Sequence, residues 1–380
     1  MNRNERVLIV GGGIAGLSLA VGLHRMGLSP TIVEQAPRFG AVGAGISLSV
    51  NAMAAMKFLG LADAALDAGR ELGVGEVTNA RGACLSRADL ARVAELHGPS
   101  ITIHRAALHE VLLSGCRDID LRTDTTIDGL VDHDGGVEVK FSDGSSQEFD
   151  RVIGADGLRS RTRTLAFGET QPLYSGYTCW RFVVDCPDGL DRAQEMWGRG
   201  LRFGLVPLAE ERLYCFTCAN APAGTPDPEE GRVERFRTRF AGFGGYAPVA
   251  LEQITRPEQL IHNDLEEMPP HPWSKGRVLL IGDAAHATTP NMGQGAAMAL
   301  EDTWVLCEML ASATSWDEVI PRFVERREPR VRFIVDQSRR IGRMAQTANP
   351  LLVALRNGIV RATPNRVTLR AALRAAASEI

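Results

Sequence analysis

The 380-residue sequence contains no unbroken apolar run of the roughly 18 residues that a membrane-spanning helix requires, so no membrane span is expected. It also has no large excess of positive charge: the formal net charge is −4. This balance excludes the broad basic field that recruits nucleic acid. The charged first residues lack the apolar core of a signal peptide. We therefore expect a cytoplasmic protein without a nucleic-acid partner.

Cysteine is too scarce and too scattered for a disulfide framework: there are seven, an odd number, which suits a reducing compartment. Cys215 and Cys218 have the spacing of a redox or zinc pair. They lie, however, in the alternating run "RLYCFTCA", where positions three apart point to opposite faces of a strand. We interpret them as two packed thiols. No other group of residues has metal-ligand spacing, and no metal is expected.

A glycine-rich turn follows the first apolar run, "RVLIV", and opens an amphipathic helix. Gly11 permits the tight turn, Gly13 lets a pyrophosphate approach the amides at the helix start, and Gly16 lets the helix pack on the strand. Glu34 ends the next apolar run and is placed to accept hydrogen bonds from ribose hydroxyls. This strand–helix–strand unit predicts a dinucleotide site, but does not distinguish NAD from FAD.

A second stretch, "IGDAAHATTPNMGQGAAMALED" from Ile281, makes that distinction. Asp283 at a strand end is suited to bind polyol hydroxyls, and a helix that begins near Gly295 presents free amides and a positive dipole end. A flavin has a ribityl chain and becomes an anion on reduction, whereas a nicotinamide has no polyol and becomes neutral. The two halves together favour FAD.

The pattern of apolar residues and turns in the middle of the chain differs from the pattern near its two ends. Short alternating runs separated by turns from about residue 174 to 261 predict an inserted antiparallel sheet, and "GGVEVKFSDGSSQEFDRVIGADG" predicts a hairpin turning at Asp143 and Gly144. After Trp316 the chain reads as helical, with Pro321 near a helix start and Pro329 kinking or dividing the helix. The arginine-rich tail is predicted to be a helix solvated on one face.

These motifs together resemble the single-component, FAD-dependent aromatic hydroxylases of the para-hydroxybenzoate hydroxylase fold. The resemblance covers nearly the whole chain and rests on "VGGGIAGLSLA", "VGAGISL", "IHRAALHEVLL", "VIGADGLRSRTR" and "RVLLIGDAAHATTPNMGQGAAMALED". It implies an α/β fold: a Rossmann-like FAD-binding domain with an inserted, mostly antiparallel β-sheet substrate domain and a helical C-terminus. The predicted FAD-binding segments are 1–72, 98–172 and 275–380, and the predicted substrate segments are 73–97 and 173–274.

The resemblance also implies which residues contact the cofactor. Arg105 matches the arginine that contacts FAD phosphate or ribityl, Asp156 and Gly157 match a motif tied to both FAD and NAD(P)H, and Asp283 matches the ribityl ligand. The full predicted FAD set is Gly11, Gly13, Ala15, Gly16, Glu34, Gln35, Ser47, Arg105, Asp156, Gly157, Asp283, Pro290, Gly293, Gln294, Gly295 and Ala296.

Within the family, "YSGYTCWRFVV" and the chain length are most similar to the salicylate, 6-hydroxynicotinate and urate hydroxylase branch. Urate enzymes carry an asparagine and an aspartate where this chain has Cys179 and Asn291, which argues against urate. Arg202 and Tyr214 match substrate-facing positions, and with Asn291 they form the predicted catalytic set. The alternative interpretation of Arg202 and Tyr214 is a surface cation and a packed ring.

The implied reaction is hydroxylation of an electron-rich aromatic or heteroaromatic small molecule through a flavin hydroperoxide, with consumption of dioxygen. The resemblance implies NADH or NADPH as a co-substrate that docks only transiently, which is consistent with the lack of a second glycine fingerprint for it. His286 is expected to hold its loop rather than to abstract a proton. A urate hydroxylase, an epoxidase, an isoprenoid reductase and a non-catalytic flavin-binding regulator are the alternatives. We expect a monomer or a homodimer.

Overall fold

A computed structural model describes residues 5–40, 43–364, 367 and 373–374. Nineteen strands are assigned within these residues. In chain order they are β1 (Val7–Val10), β2 (Thr31–Val33), β3 (Gly45–Leu48), β4 (Gly69–Glu71), β5 (Val74–Asn79), β6 (Cys84–Asp89), β7 (Ile101–His104), β8 (Asp120–Arg122), β9 (Ile127–His133), β10 (Gly136–Phe141), β11 (Ser146–Phe149), β12 (Arg151–Gly154), β13 (Leu173–Asp185), β14 (Ala193–Trp197), β15 (Leu201–Pro207), β16 (Arg212–Asn220), β17 (Ile261–Glu267), β18 (Ser274–Lys275) and β19 (Val278–Leu280).

Twelve α-helices are assigned within the same residues, and two 3₁₀ turns lie at Pro257–Gln259 and Pro290–Met292. The helices are α1 (Ile14–Arg25), α2 (Val50–Phe58), α3 (Ala62–Ala68), α4 (Leu90–His97), α5 (Arg105–Ser114), α6 (Arg161–Phe167), α7 (Arg232–Phe240), α8 (Ala247–Glu252), α9 (Asp283–His286), α10 (Gly295–Ser312), α11 (Trp316–Ala345) and α12 (Pro350–Ala362). None of them is long and apolar enough to cross a lipid bilayer.

A six-stranded sheet forms the first layer, in the order β18-β19-β12-β1-β2-β8. Its pairs are parallel except for β18 with β19. The central strand, β1, is buried along its whole length, as the continuous apolar run "VLIV" requires when both faces of a sheet are covered. Helix α1 packs against α10, where Ser18 bonds Thr303 at 2.9 Å. Because β1, β12 and β19 are parallel, their carboxyl ends lie at the same edge of the sheet.

A seven-stranded sheet forms the second body of strands, in the order β17-β13-β16-β15-β14-β5-β6. All its pairs are antiparallel except β14 with β5. One face carries a core rich in aromatic rings, including Phe182, Phe203 and Phe240. The predicted α/β fold with an inserted, mostly antiparallel sheet is confirmed, whereas the exact segment boundaries stay predictions.

Two smaller sheets complete the strands: β3-β7-β4 and β11-β10-β9. The predicted hairpin is confirmed, because β10 pairs antiparallel with β11 and Gly144 adopts a φ of 86° in the turn between them. Strand β12 follows this hairpin and enters the six-stranded sheet. The chain therefore passes from the hairpin into β12, whose carboxyl end lies at the same edge of the six-stranded sheet as the carboxyl ends of its parallel neighbours.

Helix α11 spans 30 residues and contains both Pro321 and Pro329. Of the two alternatives for Pro329, division of the helix is wrong, because α11 continues through it, and a kink stays a prediction. An internal proline costs a helix about 3 kcal/mol, and the buried face of α11, with Phe323, Val331 and Ile334, offsets that cost. The predicted tail helix is described only in part, as α12, since residues 365–366, 368–372 and 375–380 lie outside the described residues.

Candidate active site

A cavity lies between the glycine turns that follow the parallel strands and one face of the seven-stranded sheet. It brings together residues that are far apart in the sequence, and most of the predicted site residues line it. These are Gly13, Ala15, Ser47, Arg105, Gly157, Arg202, Tyr214, Asp283, Pro290, Asn291, Gly293, Gly295 and Ala296.

Gly11 and Gly16 do not line the cavity but shape the turn beneath it. Gly11 has a φ of 106°, in the region that favours glycine. A Cβ on Gly16 would lie 1.9 Å from the Gly11 carbonyl oxygen, so only glycine lets the helix approach the strand there. These two residues therefore hold the position of Gly13, the first residue of the turn that faces the cavity.

A second cavity continues from the first one and shares Gly13, Ile14 and Arg105 with it. Glu34 lines this second cavity, and its two carboxylate oxygens accept hydrogen bonds from the amides of Gly12 and Ala36, each at 2.8 Å. Two neighbouring amides thus hold the carboxylate in a fixed orientation. The two cavities together form one elongated trough, with Glu34 near one end and the seven-stranded sheet at the other.

Asp283 begins α9 at the end of β19, and its side chain faces the first cavity. Its carboxylate makes no hydrogen bond within the described residues, although it is open to the cavity. Burial of the surrounding site, opposed by the charges of His286 and Arg105, raises the pKa of Asp283 above its usual range. A raised pKa shows that the charged form lacks a compensating partner. The Asp283 carboxylate is therefore a hydrogen-bond acceptor that has no donor partner among the described residues.

Gly282, just before Asp283, is held by a buried ionic network. Its amide donates to Asp302 at 2.9 Å, and His286 contacts the same carboxylate oxygen at 2.7 Å. Arg327 donates to the other oxygen of Asp302 at 2.8 Å. This geometry assigns His286 to the support of the loop, because its Nε2 is engaged with Asp302 and the residue lines neither cavity.

Besides Gly11 and Gly16, three residues of the predicted FAD set lie outside both cavities. Gln35 is exposed, and the Gln294 side chain bonds Ser49 at 2.8 Å and Asn51 at 3.0 Å. The Asp156 carboxylate accepts bonds from Ser160 and Thr162 at the start of α6. The contact of these three residues with a cofactor stays a prediction, whereas the hydrogen bonds of Gln294 and Asp156 stabilise the turns around the trough.

The trough has room where an extended dinucleotide needs it. At Gly13, Gly157, Gly293 and Gly295, no described atom lies within 4 Å of the position that a Cβ would occupy. A pyrophosphate and a flavin ring approach backbone amides closely, so bare glycines and helix starts are the expected surroundings. With the unpartnered Asp283 carboxylate and the cationic Arg105 beside them, these residues fit FAD.

The other wall of the cavity is a face of the seven-stranded sheet, built from two adjacent cross-strand rows. In the first row Cys179, Cys218 and Arg202 lie side by side on β13, β16 and β15. The next row contains Arg181, Phe216, Gly204 and Glu195. Cys179, Arg181, Glu195, Phe216 and Cys218 all line the cavity but are missing from the predicted site. The period-2 alternation of β13 and β16 could have found four of them.

Arg202 reaches the cavity, but its guanidinium is largely engaged by the protein. It is 2% exposed, and its Nη1 donates to Asn291 at 2.7 Å and to Glu195 at 3.1 Å. Asn291 also donates from its amide to Tyr177 and to Ser338, each at 2.9 Å. Both side chains are therefore well placed to position their neighbours, and their direct contact with a substrate stays a prediction.

Arg181 is the more accessible cation of this wall. It is half-buried, contacts Asn263, and shares a hydrogen bond with the Tyr214 hydroxyl. Burial raises the pKa of Tyr214 well above its usual range, against the opposing charge of Arg181. Tyr214 thus stays a neutral phenol near physiological pH and acts as a hydrogen-bond donor or acceptor rather than as a phenolate.

The structure separates Cys215 from Cys218, as the alternation predicts. Cys215 lies in the aromatic core on one face of the sheet, and Cys218 lies on the cavity face. Within the described residues, no group of three or more histidine, cysteine or acidic side chains is arranged to hold a metal ion. The CxxC spacing is thus a coincidence of strand alternation.

The fold and the trough define an FAD-dependent monooxygenase of the aromatic hydroxylase type. A family model described as "FAD binding domain" matches residues 4–338. The aurachin C monooxygenase/isomerase of Stigmatella aurantiaca is 39% identical over 365 residues, which cover 95% of each chain. The 2-heptyl-3-hydroxy-4(1H)-quinolone synthase of Pseudomonas aeruginosa is 37% identical over 367 residues, which cover 94% of each chain.

Among solved structures, Klebsiella pneumoniae HpxO complexed with FAD and uric acid superposes with a TM-score of 0.91 at 25% identity. That alignment covers 98% of this chain and 97% of HpxO. The chain belongs to the FAD binding domain family, and it is an FAD-dependent monooxygenase.

The two glycines of the first turn offer a matched test of the trough. Gly16→Ala is expected to destabilise the fold by about 1–3 kcal/mol or more, because its Cβ would collide with the Gly11 carbonyl. Gly13→Ala is expected to preserve the unfolding temperature but to retain less FAD after desalting, because its methyl group enters the trough. Thermal unfolding and the flavin absorbance of the two variants measure both effects. Normal FAD retention in folded Gly13→Ala protein would remove this turn from the cofactor site.

Proposed function

We propose that this monooxygenase hydroxylates a 4(1H)-quinolone or a closely similar bicyclic N-heteroaromatic ring, using dioxygen and NADH or NADPH. The names of two relatives that align over nearly the whole chain support this substrate class: one makes a 3-hydroxy-4(1H)-quinolone and the other acts on aurachin C. A quinolone carries a ring N–H donor and a carbonyl acceptor, and no carboxylate.

The observation that carries the proposal is the row Arg181, Phe216, Gly204 and Glu195. A cation and a carboxylate stand at its two ends, and the Phe216 ring lies over Gly204, where a Cβ would be 2.0 Å from the ring. A flat ring resting on Phe216 would direct its carbonyl to one end and its N–H to the other. Glu195, whose side chain is 23% exposed, offers a carboxylate oxygen to a ring N–H donor.

FAD would be held by the amides near Gly13 and Gly295, by the Asp283 carboxylate and by Arg105. When bound and reduced by NADH or NADPH, it supplies the activated oxygen that is inserted into the ring. The protein's own task is to make the ring electron-rich. Glu195 accepts the ring N–H proton, and Arg181 stabilises the negative charge that develops on the carbonyl oxygen.

Arg202 has a supporting role in this arrangement. Its bond of 3.1 Å to Glu195 orients one carboxylate oxygen and leaves the other for the substrate. Its bond of 2.7 Å to Asn291 ties the sheet wall to the loop before α10. Tyr214 donates to the same substrate oxygen as Arg181.

The cytoplasmic location and the monomeric or homodimeric state stay predictions.

The test is turnover of 2-heptyl-4(1H)-quinolone by purified, FAD-loaded protein, compared with uric acid and 4-hydroxybenzoate. We expect quinolone-stimulated oxidation of NADH or NADPH and one oxygen atom from labelled dioxygen in the product. Stimulation by uric acid or 4-hydroxybenzoate alone would overturn the substrate class. Label taken from water would overturn the reaction type.

Glu195→Gln is expected to lower the rate of quinolone hydroxylation by about 10²-fold, as for loss of a positioned general base. Its FAD content should stay normal, since Glu195 lies on the sheet wall of the first cavity, opposite the glycine turns and Asp283. The control is Glu138→Gln, which changes an exposed carboxylate on the hairpin sheet. A rate for Glu195→Gln equal to that of the control would exclude Glu195 as the proton acceptor.

A further inference from the structure

Two thiols face each other in the cavity wall. Cys179 on β13 and Cys218 on β16 are direct partners in antiparallel register. Such partners have Cα atoms about 4.5–5.5 Å apart, inside the range of about 4.4–6.8 Å that a disulfide bridges. Each thiol is 1% exposed, each lines the cavity, and the two share a hydrogen bond. A disulfide can therefore form here without movement of the backbone strands.

The charges around the pair favour a thiolate on one of the two sulfurs. Arg202 Nη2 lies 3.5 Å from Cys218 Sγ, and Arg181 is two residues from Cys179 on the same face of β13. The hydrogen bond from Cys218, against the effect of burial and helped by both guanidinium groups, lowers the pKa of Cys179 to about 7. The same hydrogen bond and burial raise the pKa of Cys218 well above its usual range.

The other buried thiols are in a different environment. Burial raises the pKa of Cys116 and of Cys307 to about 12, and no neighbouring cation opposes this effect. Cys215, three residues from Cys218, lies in the aromatic core and its pKa is raised well above the usual range by burial. Low pKa, a resolving thiol and access from a cavity together distinguish redox-active cysteines from inert ones.

We propose that Cys179 and Cys218 form a reversible disulfide when hydrogen peroxide enters the cavity. The Cys179 thiolate attacks one peroxide oxygen; an S–O bond forms, the O–O bond breaks, and hydroxide leaves. The Cys218 sulfur then attacks the Cys179 sulfur; the S–S bond forms and the S–O bond breaks. The departing oxygen takes the Cys218 proton and leaves as water. The two sulfurs lose two electrons in total, and the peroxide is reduced to one hydroxide and one water; the hydroxide takes up the proton that Cys179 released on ionisation, so the net product is two waters.

This modification would act on the wall that carries the substrate-facing residues. Cys218 lies between Cys179 and Arg202 in one cross-strand row, and the next row holds Arg181 and Glu195. A covalent bond between β13 and β16 changes the sulfur that Arg202 contacts. The site thus couples peroxide in the cavity to the geometry of the cavity wall, independently of which ring the enzyme hydroxylates.

The experiment exposes the full-length, FAD-loaded protein to hydrogen peroxide, blocks the remaining thiols under denaturing conditions, and maps peptides by mass spectrometry. We expect a peptide linking Cys179 to Cys218 that has lost two hydrogen atoms and that dithiothreitol splits. Cys215→Ser should give the same linked peptide, since Cys215 lies on the other face of the sheet. Recovery of both thiols as alkylated cysteines, or a link that uses any other cysteine, would overturn the proposal.

A second variant separates the two chemical steps. In Cys218→Ser no link can form, and Cys179 is expected to be trapped as a sulfenic acid by dimedone after peroxide treatment. Cys179→Ser should likewise give no linked peptide, because one of the two sulfurs is missing. Absence of a dimedone label on Cys179 in peroxide-treated Cys218→Ser would contradict the assigned order of attack.

Discussion

Replacing Arg327 with methionine is expected to lower the free energy of unfolding by about 3–5 kcal/mol, the usual effect of breaking a buried ion pair. Arg327 is 2% exposed and bonds two carboxylates that are 0% exposed: Glu301 at 2.7 Å and Asp302 at 2.8 Å. Methionine fills similar space but leaves Asp302 with His286 as its remaining side-chain partner in the network. Denaturant unfolding of the flavin-free protein, followed by circular dichroism, measures the loss.

The neighbouring residue supplies the control. Arg326 pairs with Glu308 on the surface at 3.0 Å, and both side chains are more than one-third exposed. Such exposed pairs contribute about 0–1 kcal/mol, so Arg326→Met should unfold almost like the wild type. Equal losses in the two variants would show that burial of the Arg327 network does not decide its contribution.

The same network makes stability depend on pH. Burial alone would raise the pKa of Asp302, but the charges of His286 and Arg327 outweigh it and lower this pKa from 3.8 to about 2. The stabilisation is fully present above about pH 4 and is lost as the pH falls toward 2, since a depressed carboxyl pKa favours the folded state only when the group is ionised. The difference in unfolding free energy between wild type and Arg327→Met should therefore narrow in that window.

Asp283→Ala is expected to weaken FAD binding by about 10- to 150-fold, which corresponds to the loss of a charge-assisted hydrogen bond of about 1.5–3 kcal/mol. The carboxylate faces the trough and has no hydrogen-bond partner within the described residues. The Asp283 side chain is exposed to solvent in the flavin-free protein, so its removal leaves no buried partner unpaired. The flavin-free variant should accordingly be at least as stable as the wild type. Fluorescence titration with FAD and thermal unfolding test the two expectations.

Glu195→Gln is the matched control for this experiment, because Glu195 is a carboxylate of the same cavity on its opposite wall. Its affinity for FAD should equal that of the wild type. If Asp283→Ala also bound FAD with unchanged affinity, the carboxylate at the end of β19 would not be a ligand of the cofactor. Weaker binding together with a loss of stability would instead point to damage in the turn.

The glycine turns and the carboxylate that line the trough could be predicted because their signals are local, and their contact with FAD stays a prediction. Gly11, Gly13 and Gly16 follow an apolar strand directly, and Asp283 follows another. Parallel strands place their carboxyl ends at one edge of a sheet, so two such signals imply one site. Gln35 and Gln294 were assigned to FAD from the same motifs, yet the structure directs Gln35 to solvent and the Gln294 side chain to Ser49.

The substrate half was predicted less completely. Arg202 and Tyr214 were found through their motif, whereas Arg181 and Glu195 were not. Alternation along a strand tells which residues share a face, but not which strands are neighbours or which face meets the cavity. Glu195 lies in the same row as Arg181 only because the strands are ordered β13-β16-β15-β14, and this order is a property of the tertiary structure.

The amino-acid sequence by itself determined the α/β class, the dinucleotide turn, the flavin-side carboxylate and the absence of a long apolar span, because each depends on residues that are close in the chain. Only the tertiary structure decided that Arg202 is occupied by Glu195 and Asn291, and that Cys179 meets Cys218. Hydrogen bonds and ion pairs depend on distances of a few ångströms between side chains, and for residues tens of positions apart those distances follow from strand order and packing.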